Sequence, residues 1–250
     1  MTHYGLDLAV IGNGRTAALL EPSSRIVWWC LPRFDGDPVF CRLVSGGEEK
    51  GFTDVVLEGQ VEVRSSYVRN TAIVVTELID DKGAGVRVTD FAPRFQIYGR
   101  TFRPPQIIRI VEPIGGMPRV TIRFRTTHRY GEPVASRSSG SNHIRYWRDD
   151  VPVRLTTDAP LSYVENEASF ILTRPVHMVF GTDEPFEGSL ETTCRDFCER
   201  TRDYWLEWVR RLAFSMGTES ALNRMLLATR LSLVPAGQNV GLIVSPQSQL

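Results

Sequence analysis

Between Leu6 and about Arg174 the chain is a series of short β-branched and aromatic runs broken by clusters of Gly, Pro, Asp and Ser. Short runs at this spacing describe a sandwich or barrel rather than alternating strand and helix units. Arg25-Ile-Val-Trp-Trp-Cys30, Val61-Glu-Val-Arg64, Ala72-Ile-Val-Val-Thr-Glu-Leu78, Val86-Arg-Val-Thr-Asp-Phe91 and Val120-Thr-Ile-Arg-Phe-Arg125 are examples. In the last three, polar residues interleave at a period near two, so each strand has one wet and one buried face, as antiparallel sheets require. Asp80-Asp-Lys-Gly-Ala-Gly85 supplies turn residues between two such runs, which predicts a hairpin over residues 72–91. Ser136-Arg-Ser-Ser-Gly-Ser141 is the most linker-like stretch, yet strand-like runs resume at Ile144–Trp147 and Val151–Leu155, so it reads as a surface loop within the same domain.

The period changes near Ser189. Cys194, Phe197, Cys198, Trp205, Trp208 and Leu212 recur at three and four, as on one side of an amphipathic helix. A second helical run covers Ser220 to Val234, with Leu222, Met225, Leu226, Thr229 and Leu233 on one side, and Pro235-Ala-Gly237 stops it. The chain thus divides into a mainly β antiparallel sandwich over residues 1–189, a helical linker over 190–214, and a further helical segment over 215–250. Two helices cannot close a core of their own. Self-association through their exposed apolar sides is therefore an open route, and residues beyond Phe214 are expected to be the least stable part.

Composition narrows the function classes. Lys plus Arg is 29 and Asp plus Glu is 29, so no net field draws a polyanion or an anionic membrane, and neither nucleic acid nor membrane is expected as a partner. The longest apolar stretches, such as Ile107–Val111, fall far short of the roughly 20 residues a membrane helix needs. The opening Met1–Leu8 has no basic leader pattern, which predicts a cytoplasmic protein. Cys30, Cys41, Cys194 and Cys198 show no zinc-site spacing, and His3, His128, His143 and His177 are scattered, so no metal and no cofactor is expected. Cys194 and Cys198, four apart on a helix, read as small buried hydrophobes.

Two motifs invite a functional reading. Gly12-Asn-Gly14-Arg-Thr-Ala17 follows the apolar run Leu8–Ile11 and matches one form of a dinucleotide fingerprint. That fingerprint needs a helix with its N-terminal amides on the pyrophosphate, and Pro22-Ser-Ser24 interrupts the chain too soon for one. Strand, glycine turn, strand from Arg15 to Glu21, turn, and strand from Arg25 to Cys30 fits better. The second motif is Trp28-Trp29-Cys-Leu-Pro-Arg33-Phe34-Asp35-Gly-Asp37-Pro-Val-Phe40, a dense mix of aromatic, guanidinium and carboxylate groups on a Pro-rich loop. A saccharide site uses such groups, but so does a structural corner where Trp and Phe pack and Arg33 pairs with Asp35 or Asp37. The basic run Arg119–Arg129 alternates with apolar residues and reads as the solvated face of a strand, not a nucleic-acid patch.

The runs Ile11-Gly-Asn-Gly-Arg-Thr-Ala-Ala-Leu-Leu20 and Arg25-Ile-Val-Trp-Trp-Cys-Leu-Pro-Arg-Phe-Asp35 closely resemble the opening of bacterial family-15 glycoside hydrolases, which include glucoamylase-like enzymes and related trehalases. Val86-Arg-Val-Thr-Asp-Phe-Ala-Pro93, Ile107-Ile-Arg-Ile-Val-Glu112 and Tyr204-Trp-Leu-Glu-Trp208 continue the resemblance in order, over essentially the whole chain. It implies an N-terminal β-sandwich, a helical linker, and a catalytic barrel of paired helices carrying a Glu general acid and a Glu general base. On it, Leu222–Val234 is similar to the first barrel helix, and Val240-Gly-Leu-Ile-Val-Ser-Pro246 to the segment leading toward the sugar-binding loop. There the chain departs. The family continues with a Tyr/Trp/Arg-Asp motif, whereas this sequence reads Gln247-Ser-Gln-Leu250, and neither catalytic Glu maps to any position.

The expectation is therefore a noncatalytic sandwich followed by a helical linker and the first helix of an incomplete (α/α) barrel. It would support an inverting hydrolase of trehalose or short α-glucans, meeting the α-glucoside only through the missing catalytic domain. Trp29, Arg33, Phe34 and Asp35 are the candidate rim of that site, with no catalytic residue in the chain. A stand-alone carbohydrate-binding or interaction module, and a truncated product without function, are the alternatives. Aromatics exposed on one sheet face would favour the module, and aromatics gathered at the Trp28–Phe40 loop the rim.

Overall fold

A computed structural model describes residues 7–45, 49–134, 136–149, 151–185, 188–216, 233–236 and 239–242. Two antiparallel sheets dominate. The smaller runs Ala9–Gly12, Ala17–Leu20, Ile26–Cys30, Phe52–Leu57, Arg119–Arg125, Phe170–Ile171, with Pro38–Phe40 paired beside Ile26–Cys30. The larger runs Ser136–Ser139, His143–Trp147, Val153–Thr157, Val176–Thr182, Gln106–Ile114, Gly85–Phe91, Val74–Asp80, Gln60–Tyr67. Ile11, Leu20, Trp29, Val55 and Ile122 from the first and Val88, Ile107, Val111, Leu155 and Phe180 from the second share one buried cluster, which makes the pair a sandwich.

The sequence pattern explains which faces are covered. Arg119–Arg125 alternates because only Val120, Ile122 and Phe124 reach the core. Ile107-Ile-Arg-Ile-Val111 is apolar on both sides of the strand, apart from Arg109, because both faces of that strand are covered. Ile107 and Val111 face the core, while Ile108 and Ile110 lie under the long helix Leu190–Met216, in a second cluster with Phe91, Val179 and Cys194. Arg109, the polar member of the run, turns into the sandwich and is fully buried. Its Nε donates to Asp90 Oδ1 at 2.7 Å and its Nη2 to the Ser24 carbonyl at 2.5 Å, so one guanidinium ties the two sheets.

The hairpin expected over 72–91 is present, with Val74–Asp80 paired to Gly85–Phe91. The helical period from Cys194 belongs to Leu190–Met216, whose Cys194 and Trp205 are buried and whose Phe197, Cys198 and Trp208 are partly buried. Three readings need correction. Ser136–Ser139 is not a loop: it pairs with His143–Trp147 as an exposed edge strand, where serines lie flat without needing a core partner. The arginines of Arg119–Arg125 are not simply solvated, since Arg123 and Arg125 stack over Phe52 and pair with Asp54 and Glu167. The helix assigned to Ser220–Val234 does not reach its assigned end. Leu233–Ala236 pairs with Asn239–Leu242 in a hairpin, while residues 217–232 lie outside the described ones, and with them most of the expected first barrel helix. Val-Pro-Ala after Leu233 already opposes a helix, because proline lacks the N–H donor and fits a short two-stranded edge. Among the described residues no helix is long and apolar enough to cross a membrane.

Candidate functional site at one end of the sandwich

The strand registers bring distant loops to one end. Gly12 faces Ala17 and Ala18 faces Trp29, so the Asn13–Thr16 turn and the loop after Cys30 leave the small sheet on the same side. In the large sheet Ile108 faces Phe91, Gln106 faces Gly181, Val153 faces Thr182 and Tyr146 faces Val153. That places Pro93–Arg94, Pro104 and Arg148 at the same end, as direct bonds confirm.

Asn13 is the hub of the first half. Its Oδ1 accepts the N–H groups of Arg15 and Thr16 at 2.9 and 3.1 Å, closing the turn, and its Nδ2 donates across the sandwich to the carbonyls of Pro93 (3.0 Å) and Pro104 (2.7 Å). Gly14 has φ +80°, and a Cβ there would lie 2.6 Å from Arg94 Nη1. The Gly-Asn-Gly motif is thus a hairpin turn between antiparallel strands, incompatible with a strand–helix phosphate cradle. Arg94 donates to the Asn13 carbonyl, its guanidinium lies over the rings of Tyr204 and Trp205 at 5.1 and 5.9 Å, and its N–H donates to Thr201 Oγ1 at 3.1 Å. The long helix, seated by Cys194 on the outer face of the large sheet, therefore reaches this end at Thr201–Trp205.

Trp29 is completely buried, its Nε1 donating to Thr16 Oγ1 at 2.7 Å and its ring meeting Phe180 edge-on at 5.6 Å. With Phe40, Phe124 and Tyr146 it forms an aromatic plug beneath the rim. Leu31–Pro32 is a cis peptide, and Gly36 closes the loop by donating to the Arg33 carbonyl at 3.0 Å. A Cβ on Gly36 would stand 2.5 Å from the Leu31 carbonyl oxygen, so no other residue closes it without a shift. At the tip Arg33 pairs with Asp35 at 3.1 Å, with side chains 75% and 71% exposed, and Phe34 is 41% exposed. The four predicted residues thus divide: Arg33, Phe34 and Asp35 present their side chains to solvent, while Trp29 is buried in the core against Phe40 and Phe180.

Behind the tip the loop is tightly held. Asp37 accepts the N–H groups of Arg129 (2.9 Å) and Tyr130 (3.2 Å) and takes the guanidinium of Arg148. Arg148, its side chain 3% exposed, also donates to the carbonyls of Thr127 at 2.9 Å and Pro38 at 3.2 Å. Asp37 thereby fixes the turn in which Arg129 and Tyr130 both take positive φ. Burial, with the Asp37 carboxylate beside it, pushes the Cys30 thiol up to about 11. These parts enclose an open cleft of about 600 Å³ lined by Leu31, Pro32, Gly36, Asp37, Arg129, Tyr130, Arg148 and Asp149. Tyr130 is 62% exposed at its mouth, and Arg129 reaches Asp149 at 2.6 Å with His128 3.6 Å from the same carboxylate. An aromatic face, guanidinium groups and carboxylates around one cleft suit a polyhydroxyl ligand. Among the described residues no group of three or more His, Cys, Asp or Glu converges to hold a metal.

Sequence reasoning missed Arg129, Tyr130 and Arg148. They lie about ninety to a hundred and ten residues from Asp37, and their only signal is a basic, aromatic turn beside a Gly. The matched motifs, by contrast, meet here: the Asn13 turn, the Trp29 strand, Pro93 and the Tyr204–Trp205 helix face all touch one corner.

The chain is 26% identical over 236 residues to a trehalase of Thermoplasma volcanium, covering 88% of this chain and 36% of that protein. It is 24% identical over 234 residues to a trehalase of Thermoplasma acidophilum, covering 89% of this chain and 39% of the relative. The chain thus spans well under half the length of either curated relative. No solved structure matches it. Residues 6–166 match the family model described as trehalase-like, N-terminal, and the chain belongs to that family.

Proposed function

We propose that this chain is the N-terminal supporting domain of a glycoside hydrolase acting on α-glucosidic bonds, in trehalose or short α-glucans, and that its Leu31–Asp37 loop borders the substrate site of a catalytic domain. One observation supports the reading: the long helix, through Thr201–Trp205, meets the same end of the sandwich from which the Leu31–Asp37 loop and its cleft open. The relatives are called trehalases and extend well beyond the region they share with this chain, which leaves room in them for a catalytic domain. Inverting hydrolysis needs two carboxyl groups about 6.5–9.5 Å apart across a sugar pocket. The described residues of the cleft give no support for such a pair: both oxygens of Asp37 are occupied by structural hydrogen bonds, Asp149 is held by Arg129 at 2.6 Å, and Asp35 is solvated beside Arg33. The stand-alone binding module draws less support, because Phe34 and Tyr130 sit on the loops that form the cleft, while the aromatics exposed on strands, Trp147 and Tyr67, stand toward opposite edges of the large sheet and build no common face.

Two measurements test this. The purified chain should release no glucose from trehalose or maltotriose, and turnover that tracks the protein through purification would refute the supporting role. Grafted in place of the matching region of the Thermoplasma volcanium trehalase, the chain should give an active hydrolase. Phe34→Ala in that graft should raise KM several-fold with kcat little changed, since a rim contact made equally in ground and transition states acts on KM alone. An unaltered KM would remove the loop from the site.

A further inference from the structure

The strand Gln60–Tyr67 closes one edge of the large sheet. It pairs on one side with Val74–Asp80, and its other side has no strand against it among the described residues. The adjacent edge of the small sheet is blocked. There the Tyr67 hydroxyl accepts the Val10 N–H at 2.6 Å and donates to the Val10 carbonyl at 2.9 Å, occupying the groups a neighbouring strand would use. Among the described residues the edge of the large sheet carries no such plug over eight residues, and Val61 on it is 68% exposed. An uncapped edge of this length is a template for a further strand.

The sequence of the edge specifies what fits. Glu62 and Arg64 lie on the same, outer face and are already joined by two hydrogen bonds, Arg64 Nε to Glu62 Oε1 at 2.7 Å and Nη2 to Oε2 at 3.1 Å. Two copies related by a two-fold axis normal to the sheet keep their faces, so residues of like parity stand opposite each other and the axis must pass through a residue. Through Glu62 the axis would set two glutamates face to face, and through Arg64 two arginines, each a repulsive pair. Through Ser65 it would set Arg64 against a serine and leave the charges unmatched. Through Val63 every charge finds its opposite: Glu62 meets Arg64 of the second copy, Arg64 meets Glu62, the two Val63 side chains meet on the inner face, and Val61 meets Ser65. We infer that the chain forms a two-fold dimer through antiparallel pairing of Gln60–Tyr67 with itself, centred on Val63, joining the two large sheets into one. The bulge between Gln60 and Glu62 shortens the regular ladder, so the dimer is a weak one.

Sedimentation equilibrium of the 250-residue chain over about three decades of concentration, up to about 0.5 mM, tests it. The unaltered chain should show a monomer–dimer equilibrium. Glu62→Arg alone places arginine against arginine twice across the axis and should weaken association by about tenfold or more, as should Arg64→Glu. The double reversal Glu62→Arg with Arg64→Glu restores every pair and should bring the dissociation constant back to within about threefold of the original. Thermal midpoints measured at a monomeric concentration should coincide for the unaltered chain and Glu62→Arg, whose side chain is exposed, and fall slightly in the two proteins carrying Arg64→Glu, which sets a glutamate opposite Glu77 within the chain. A chain that stays monomeric throughout has its edge covered otherwise, and the inference fails. It fails equally if Glu62→Arg dimerises as before, which would move association to another surface such as the C-terminal residues. A double reversal as weak as the single ones also overturns it.

Discussion

The two ends of the sandwich hold openings of nearly the same size, about 600 Å³ at the rim and about 610 Å³ at the opposite end, yet they are made differently. At the far end the side-chain bonds are local and the loops meet through their backbones. Asp80 Oδ1 accepts the N–H groups of Lys82 and Ala84 within its own turn, the N–H groups of Glu58 and Asp81 donate to the carbonyls of Arg119 and Gly59 at 2.9 and 3.2 Å, and the Glu58 and Arg119 side chains form an exposed pair 3.6 Å apart. At the rim side-chain bonds cross long stretches of sequence: Asn13 to Pro93 and Pro104, and Arg148 to Asp37, Thr127 and Pro38. Volume does not distinguish a site from a gap between turns. Charged side chains buried solely to hold loops in place do, because such burial is costly and persists only where the geometry matters.

The largest effect expected from this difference is on Arg148. Arg148→Met should lower stability by about 3–5 kcal/mol, since it removes the partner of the Asp37 carboxylate and the donor to three carbonyls in a nearly dry setting. Asp80→Ala at the opposite end loses a solvated turn bond and should cost about 1 kcal/mol or less. Urea unfolding of the two variants decides it, and equal losses would mean that the rim is no more constructed than the far end.

Asn13→Ala comes next, at about 2 kcal/mol, because the carbonyls of Pro93 and Pro104 lose a buried donor and the turn loses its Oδ1 acceptor. The site of the loss matters as much as its size. Proteolytic cleavage near Arg94 and at the Thr201–Trp205 stretch should quicken while the Asp80–Gly85 turn is cut as before. Uniform acceleration would show that Asn13 serves global stability and not the corner.

These contrasts show what the sequence could express. The sandwich was legible because alternation is local: Val120, Ile122 and Phe124 declare their face within six residues. The helix was legible for the same reason, from Cys194 onward. The loop from Trp29 to Asp35 was legible as a cluster too, since Trp29, Arg33, Phe34 and Asp35 lie together in the chain. Arg148 and Tyr130 were not, because what makes them part of the cleft is a register between strands remote in sequence, which no local pattern records. Asp37 was visible but ambiguous. Only its three partners show that it is a clasp, distinct from Asp35 two residues earlier. The edge serines of Ser136–Ser139 were read as loop because strand propensity reports side-chain packing, and an edge strand has little to pack.

A smaller effect separates the ends with pH. Cys30 sits by the rim, and Cys194 and Cys198 under the helix that leads to it, with thiols pushed up by burial to about 11, 12 and 11 from 9.0. A thiol raised in the folded state keeps its proton where the unfolded chain has lost it. Its contribution to stability is whole below pH 9 and is lost as the pH climbs through the folded values. Stability should therefore fall between about pH 9 and pH 11, and a Cys30→Ala, Cys194→Ala, Cys198→Ala chain should show a shallower fall. The same slope in both would shift the cause to other groups.

The smallest effect is the most discriminating, because it compares two carboxylates of a single loop. Asp35→Asn should change stability by less than about 0.5 kcal/mol, since its partner Arg33 is 75% exposed and surface pairs of this kind contribute little. Asp37→Asn, two residues on, should lose about 2–3 kcal/mol, because the amide cannot match the charge of a buried Arg148 while also accepting two backbone N–H groups. The loop then has a base fixed by Asp37 and a tip, Arg33 to Asp35, free of any structural duty. A tip without structural duty that still pairs an aromatic ring with both signs of charge is available for contact with whatever stands above it. Comparing the two variants by thermal unfolding breaks the idea if Asp35→Asn costs as much as Asp37→Asn, for the tip would then be part of the frame and its side chains already committed.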